Sequence, residues 1–344
     1  MKIQKFLGVG RVLTYPTYCE FIISSPWELI KVLFPLLDKH VLYTTKYLDY
    51  VDFKFVVNLL DSLPTTRPTG ALLAQIQAII ANMNSTRSVF LYSTIPVLEV
   101  VNPYWLLGLI EAEGTFGLKN LSPYFQLGLN IKQEMVLAFI RSFLSSLPNL
   151  FNFTLNSLPL TVSQTLNTRT DVLVLSNSSV DALHDYLALF LMSMPFQTRK
   201  SVDFWYWSLA LYFHKYGHFY LPEGRALVLA ISQFINDSRY STALVPAAMP
   251  SAENIMQVLS LTLGVTLTPQ MSHLMLRQAF AKLTSIRTIW VYDEGVLVKG
   301  SPFTSNAAAL RAIDLPRTRS GVKRTIDTGK LFLGRYTFFS KAQV

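Results

Sequence analysis

Trp105-Leu106-Leu107-Gly108-Leu109-Ile110-Glu111-Ala112-Glu113-Gly114 is the stretch that decides the fold. Leu106, Leu107, Leu109 and Ile110 give it more apolar surface than one helix face needs. Gly108 leaves a gap in the side-chain wall, through which another backbone can approach. Asn102 followed by Pro103 predicts an N-cap with proline at the first helical position. Gly114 predicts the stop. The alternation in Thr115-Phe116-Gly117-Leu118 predicts a strand leaving the helix. Glu113 then falls in the last turn, where the helix dipole disfavours a carboxylate, so an acid held there needs a compensating cation. On pattern alone the stretch is either a buried helix with a fortuitous acidic end or a helix that presents its acids.

The chain around it has 344 residues, 51% hydrophobic and 15% charged, enough for a large core and too apolar for general disorder. Thirty Lys and Arg against 21 Asp and Glu give a net charge of +9. That balance suits nucleic acid or an anionic membrane, or is simply a solvated basic surface. The single cysteine, Cys19, excludes an intramolecular disulfide and a cysteine zinc site. Among the histidines, His214 and His218 are four apart, but no glutamate follows the first as a metalloprotease helix needs, which leaves structural or phosphate-facing roles. No apolar run reaches membrane-spanning length. The nearest, Val180 to Phe196, is broken by Asp181, His184 and Asp185. The basic start, with no acid before Glu20, faintly resembles a targeting segment, although Ser and Arg are sparse.

A constant shift of 154 aligns Ser25 with Ser179, Leu29 with Leu183, Thr44 with Thr198, Lys46 with Lys200, Asp49 with Asp203, Pro68 with Pro222 and Gly70 with Gly224. So many coincidences at one offset indicate an internal repeat. The counterpart of the opening helix would begin near 102 − 154, some fifty residues before Met1. The expected organisation is therefore a first repeat truncated at its N-terminus over 1–90, a linker over 91–100, a complete repeat over 101–242, a helical extension over 243–285 and a small module over 286–344.

Within the complete repeat, the pattern predicts a helix over 103–113, strands near 115–119 and 124–131, a helix from Gln133 to Leu147, strands near 150–156 and 171–176, then three helices. Along the second strand Phe125, Leu127, Leu129 and Ile131 share one face, and Gln126, Asn130 and Lys132 the other. Amides and a lysine suit contacts to base edges and phosphates, although an ordinary solvated sheet face has the same composition. Glu253 to Leu263 and Ser272 to Leu283 read as two further helices, with no functional reading. The last module reads as a hairpin over 289–298, a helix capped by Thr304 or Ser305, a second helix from Arg317 to Asp327 and a closing strand. Arg317, Arg319, Lys323 and Arg324 on that second helix fit a helix-turn-helix, or else a charged solvated helix.

Leu106 to Gly114 resembles the signature of the LAGLIDADG homing endonuclease and intron maturase family, with Leu107 in place of the usual alanine and glutamates in place of aspartates. The resemblance implies an α+β fold: αββαββα repeats that form a saddle-shaped antiparallel sheet packed by helices. It implies that Leu106, Leu107, Gly108, Leu109, Ile110 and Gly114 pack the motif helix against a twin, and that Glu113 holds a divalent metal, Mg²⁺ if the protein is active. Lys46 and Lys200, at matched positions, correspond to a basic residue that the family keeps near its catalytic pocket, and are otherwise phosphate or surface lysines. Arg199 beside Lys200 joins the expected nucleic-acid contacts. Val291 to Phe339, through Ser301-Pro302-Phe303, Asp327-Thr328-Gly329-Lys330 and Phe338-Phe339, resembles the nuclease-associated modular domain. The family's usual home implies a mitochondrion or plastid.

Metal-assisted phosphodiester cleavage needs carboxylates on both sides of the scissile phosphate. In the family each motif helix supplies one, and this chain shows Glu113 without a partner. Two functions follow. The first is a binder without double-strand cleavage that holds structured RNA, as an intron maturase or in an organellar RNA–protein particle such as a mitochondrial ribosome. The second is a Mg²⁺-dependent homing endonuclease whose missing motif comes from a second chain. RNA is favoured over DNA, and a protein partner or a segment of the chain itself (1–20 or 243–285) is expected to cover the apolar motif helix.

Overall fold

The computed structural model describes residues 2–16, 18–63, 67–97, 100–148, 163–167, 171–235, 248–268, 271–284, 288–316 and 322–343. In chain order these form α1 (Lys2–Leu7), the hairpin β1 (Arg11–Thr14) and β2 (Cys19–Ile22), a helical run α2 over 26–39, α3 (Lys46–Asp61) and α4 (Gly70–Ala81). Then come α5 (Pro103–Glu113), β3 (Gly114–Lys119), β4 (Ser122–Asn130), α6 (Glu134–Ser145), β5 (Ser163–Asn167), β6 (Val172–Asn177), a helical run α7 over 180–192, α8 (Lys200–Lys215) and α9 (Pro222–Phe234). The remainder comprises α10 (Ala252–Leu259), α11 (His273–Thr284), β7 (Trp290–Asp293), β8 (Val296–Leu297), α12 (Asn306–Ala312), α13 (Val322–Thr325) and β9 (Tyr336–Phe339).

From α5 to α7 the order is αββαββα. The four strands form one antiparallel sheet in the order β3-β4-β6-β5. One face of it is apolar. Phe116, Phe125, Leu127 and Leu175 are at most 1% exposed and pack with Leu106 and Ile110 of the motif helix among the fully buried core. Phe116 is the hub, with ring centroids 5.7 Å from Phe125, 5.2 Å from Phe204 and 5.1 Å from Trp207. The indole N–H of Trp207 donates to the Tyr124 carbonyl at 3.1 Å, so α8 is tied to the sheet by a partly buried polar bond as well as by rings.

The repetition is visible in the elements. Lys46–Asp61 and Lys200–Lys215 have equal length and stand 200 − 46, or 154, residues apart. Both preceding helices start at a serine cap: Ser25 Oγ accepts from the Glu28 N–H, and Ser179 Oγ from the Ala182 N–H. Both contain a π-turn, Leu29–Leu33 in one and Leu183–Ala188 in the other. The hairpins repeat at 153, since Thr14 pairs with Cys19 and Asn167 with Val172. One residue of difference therefore lies between hairpin and helix.

Several expectations shift. The strand β4 ends at Asn130, whose Oδ1 accepts from the Lys132 N–H at 3.1 Å and turns the chain into a 3-10 turn over Ile131–Gln133. Lys132 therefore lies beyond the strand, and Ile131 is 38% exposed instead of extending the buried face. The strand on the outer edge of β6 is Ser163–Asn167; 150–156 lies outside the described residues.

The chain divides into two compact units. One is Met1–Lys215 with Ala226–Met256, and the other Tyr216–Arg225 with Gln257–Val344. The second unit contains a three-stranded sheet ordered β8-β7-β9 over a core of Ile289, Val291, Leu310, Val322 and Phe338. Its expected second helix is described only as the four residues Val322–Thr325. Arg317 and Arg319, and the side chains of Lys323 and Arg324, lie outside the described residues.

Candidate nucleic-acid interface

The motif helix is capped as its sequence predicts: Asn102 Oδ1 accepts from the N–H of Tyr104 at 2.8 Å and of Trp105 at 3.4 Å, with Pro103 at the first position. Its end differs. Gly114 is extended (φ −73°, ψ 147°), so handedness does not require glycine there. Space does, because a Cβ at Gly114 would stand 2.6 Å from the Ile110 carbonyl oxygen. Leu106, Leu107 and Ile110 are buried in the chain's own core, and Leu109 is half-buried. The chain's own core thus covers Leu106, Leu107 and Ile110. The open side carries Tyr104, Gly108 and Ala112, and a Cβ at Gly108 would meet nothing within 4 Å. Trp105 is met edge-on by Tyr43, with centroids 5.6 Å apart.

The two acids at the helix end separate. Glu111 Oε1 accepts from the backbone N–H of Gln197 at 2.9 Å, the N–H of Thr198 at 2.7 Å and the Thr198 hydroxyl at 2.8 Å. It clamps the turn that opens α8. Nothing in the sequence marks this role, since the partner donors are main-chain groups 86 and 87 residues away. Glu113 is exposed. Beneath it Lys200, only 1% exposed, donates from Nζ to the Gly114 carbonyl at 2.6 Å. Lys200 therefore sits under the motif end and not in an open groove. Its counterpart Lys46 has a side chain 64% exposed and donates to Asp49 at 3.3 Å and to Asn84 Oδ1 at 3.2 Å.

The other face of the sheet is partly open and mixed, with half-buried Val172 and Val174 on it beside a row of polar residues. Thr115, Gln126 and Ser176 are register partners and form a row across three strands. Gln126 is exposed between two residues that are at most 1% exposed, Phe125 and Leu127. The Tyr124 ring lies over Gly117, where a Cβ would stand 2.3 Å from it. Asn130 ends this face and is exposed, as are Lys132 and Arg199. The arrangement presents hydroxyls, an amide and an aromatic ring on a rigid sheet, as readout of base edges requires.

A divalent metal needs several convergent oxygen or nitrogen ligands. Among the described residues no group of three or more His, Cys, Asp or Glu side chains converges, and Glu113 is one carboxylate. This chain's described residues alone do not fit a metal centre. Two of the histidines serve structure: His214 Nε2 contacts the Leu121 carbonyl at 2.9 Å, and His184 Nδ1 contacts Asp185 at 2.8 Å. No helix among the described residues is long and apolar enough to cross a membrane.

The solved structures that this architecture matches include homing endonucleases. Meganuclease I-SmaMI bound to uncleaveable DNA superposes with a TM-score of 0.56 at 20% identity, over 69% of this chain and 81% of that one. The chain has the LAGLIDADG fold. The LAGLIDADG homing endonuclease I-GzeII in complex with its DNA target gives a TM-score of 0.54 at 19% identity, over 69% of this chain and 84% of that one. The LAGLIDADG endonuclease family model matches residues 1–57, the part that precedes the motif helix. An uncharacterized mitochondrial protein of Saccharomyces cerevisiae, RF1, is 26% identical over 257 residues, or 70% of this chain. The chain spans about half of that relative, 52% of its length.

Proposed function

We propose that this chain binds nucleic acid on the open face of its four-stranded sheet and makes no double-strand cuts by itself. It holds structured RNA, as an intron maturase or as a component of a mitochondrial RNA–protein particle such as a ribosome. The observation that carries this reading is the contrast at the motif end. The polar row Thr115, Gln126 and Ser176 is intact, whereas Glu113 is a single exposed carboxylate with no converging ligand set among the described residues. Binding needs the first, and cleavage on both strands needs more than the second. The mitochondrial setting is supported by the yeast relative.

A second reading has its own support. The open side of the motif helix at Tyr104, Gly108 and Ala112 leaves room for another helix, and one that ends in an acid beside Glu113 would complete a Mg²⁺ site. The protein would then be an endonuclease assembled from two segments, with Glu113 as metal ligand and with Lys46 and Lys200 near the reaction. Incubation of the purified chain with a DNA target library in Mg²⁺ separates the two. Binding without breaks is expected. Site-specific double-strand breaks that vanish in Glu113→Gln would overturn the first reading.

A further inference from the structure

The strand β2 has one side without a partner among the described residues. We propose that this side pairs antiparallel with the same side of β2 in a second copy of the chain, so that two hairpins close into one four-stranded sheet ordered β1-β2-β2-β1. The direction of the open groups follows from the turn. The Tyr15 N–H donates to the Tyr18 carbonyl at 2.8 Å, and Thr14 pairs with Cys19. Hydrogen-bonded and non-hydrogen-bonded pairs alternate along an antiparallel ladder. Glu20 and Ile22 therefore spend their main-chain groups on Leu13 and Arg11, whereas Cys19, Phe21 and Ile23 turn theirs away from β1.

The second half shows what such a side takes. At the shift of 153, Cys19, Phe21 and Ile23 match Val172, Val174 and Ser176 of β6, whose register partners are Asn130, Gly128 and Gln126 of β4. A strand thus fills this position in one half, and none among the described residues fills it in the other. A two-stranded ribbon is marginal by itself, and exposed edges are ordinarily blunted by lysine, proline, a bulge or a cover. Cys19-Glu20-Phe21-Ile22-Ile23 contains no proline, glycine, lysine or arginine. The outer side of β9, by comparison, is met by the chain itself, where the Asp327 N–H donates to the Phe338 carbonyl at 2.9 Å.

The edge is complementary to itself. A two-fold axis at Phe21 sets Phe21 opposite Phe21 and Cys19 opposite Ile23, which lets the outward groups form about six main-chain hydrogen bonds. Glu20, the one charge in the segment, then faces Ile22 rather than another carboxylate. The two Phe21 rings come side by side on one face as an aromatic cross-strand pair. The net charge of +9 on each copy opposes association, so added salt should strengthen the dimer, whereas it weakens contacts to nucleic acid.

Sedimentation velocity on the full chain, at low and high salt and between about 1 and 100 μM, tests this. A monomer–dimer equilibrium that shifts toward dimer with salt is expected, with the Phe21 and Ile23 amide hydrogens exchanging more slowly as concentration rises. Phe21→Pro removes an outward N–H while leaving the β1 pairing whole, and is expected to raise the dissociation constant by at least about tenfold. Phe21→Lys keeps the N–H but sets two ammonium groups opposite each other, with the same expected direction. Circular dichroism that matches the parent protein shows that both variants fold. A chain that stays monomeric over this range overturns the proposal, as does a dimer that both variants leave unchanged, which places the contact on another surface. Protection of the Phe21 amide only when another polypeptide is added assigns the edge to that partner and equally overturns the second copy.

Discussion

Lys200 Nζ lies 2.6 Å from the carbonyl oxygen of Gly114, and both residues are buried. The bond joins the N-terminus of α8 to the point where the motif helix becomes β3. A buried ammonium that loses this acceptor keeps its desolvation cost, and a buried carbonyl that loses its donor does likewise. Lys200→Met is therefore expected to destabilise the protein by about 2–4 kcal/mol in urea unfolding. Lys46→Met, at the matched but exposed position, is expected to cost less than about 1 kcal/mol. Equal costs would show that the two lysines share one role.

Gly70 and Gly224 align in the repeat yet need glycine for different reasons. Gly70 has φ +57° with nothing within 4 Å of an added Cβ, whereas a Cβ at Gly224 would lie 2.0 Å from the His218 carbonyl oxygen. Gly70→Ala should cost about 1 kcal/mol through its backbone alone. Gly224→Ala must move main chain, and is expected to cost about 2–3 kcal/mol although alanine favours helices. Thermal denaturation of the two variants gives the order.

The acids and histidine that interrupt Val180–Phe196 form a network with Lys215. Its ammonium donates to Asp181 at 2.7 Å and to Asp185 at 2.8 Å. Burial pushes the Asp185 carboxyl up, but His184 and Lys215 pull it net below its ordinary 3.8. Burial pushes Lys215 down, but Asp181 and Asp185 hold it net above its ordinary 10.5. A lowered carboxylate contributes stability that is whole above its unfolded value and is lost as pH falls through the folded one. A raised lysine contributes stability that is whole below its unfolded value and is lost as pH rises through the folded one. Lys215→Met is expected to cost about 3–5 kcal/mol near neutrality by leaving Asp185 buried without its main cation. The difference from the parent protein should shrink on acidification below about pH 4, measured by urea unfolding across pH.

Gln126 sits on the open face with its amide free of the core. If that face reads base edges, Gln126→Ala should lower discrimination at one base position by about 1–3 kcal/mol and leave the salt slope unchanged. Binding measured against a panel of single-base variants checks this. A uniform loss across the panel would assign Gln126 to the backbone.

The cap, the motif helix and the shift of 154 were legible because each rests on local chemistry. Asn before Pro satisfies helix N–H groups, and apolar spacing reports a buried face. The αββαββα order came from the family resemblance, and the sheet bears it out. The turn at Lys132 was missed because alternation continued past Asn130 while the Asn side chain bonded the backbone and ended the strand. The strand Ser163–Asn167 was missed because its polar composition shows no buried alternation, and pairing with β6 alone places it. At the motif end the sequence singles out Glu113 and Lys200, and Lys200 proved buried. The clamp made by Glu111 leaves no mark in the sequence, since its partners are main-chain donors set by tertiary packing.

The π-turns at Leu29–Leu33 and Leu183–Ala188 bear on descent. A π-turn accommodates one extra residue within a helix and turns everything beyond it to a new face. Two independent insertions at the same point of two half-molecules are far less economical than one. One insertion made before a duplication is what the matched π-turns at Leu29–Leu33 and Leu183–Ala188 fit.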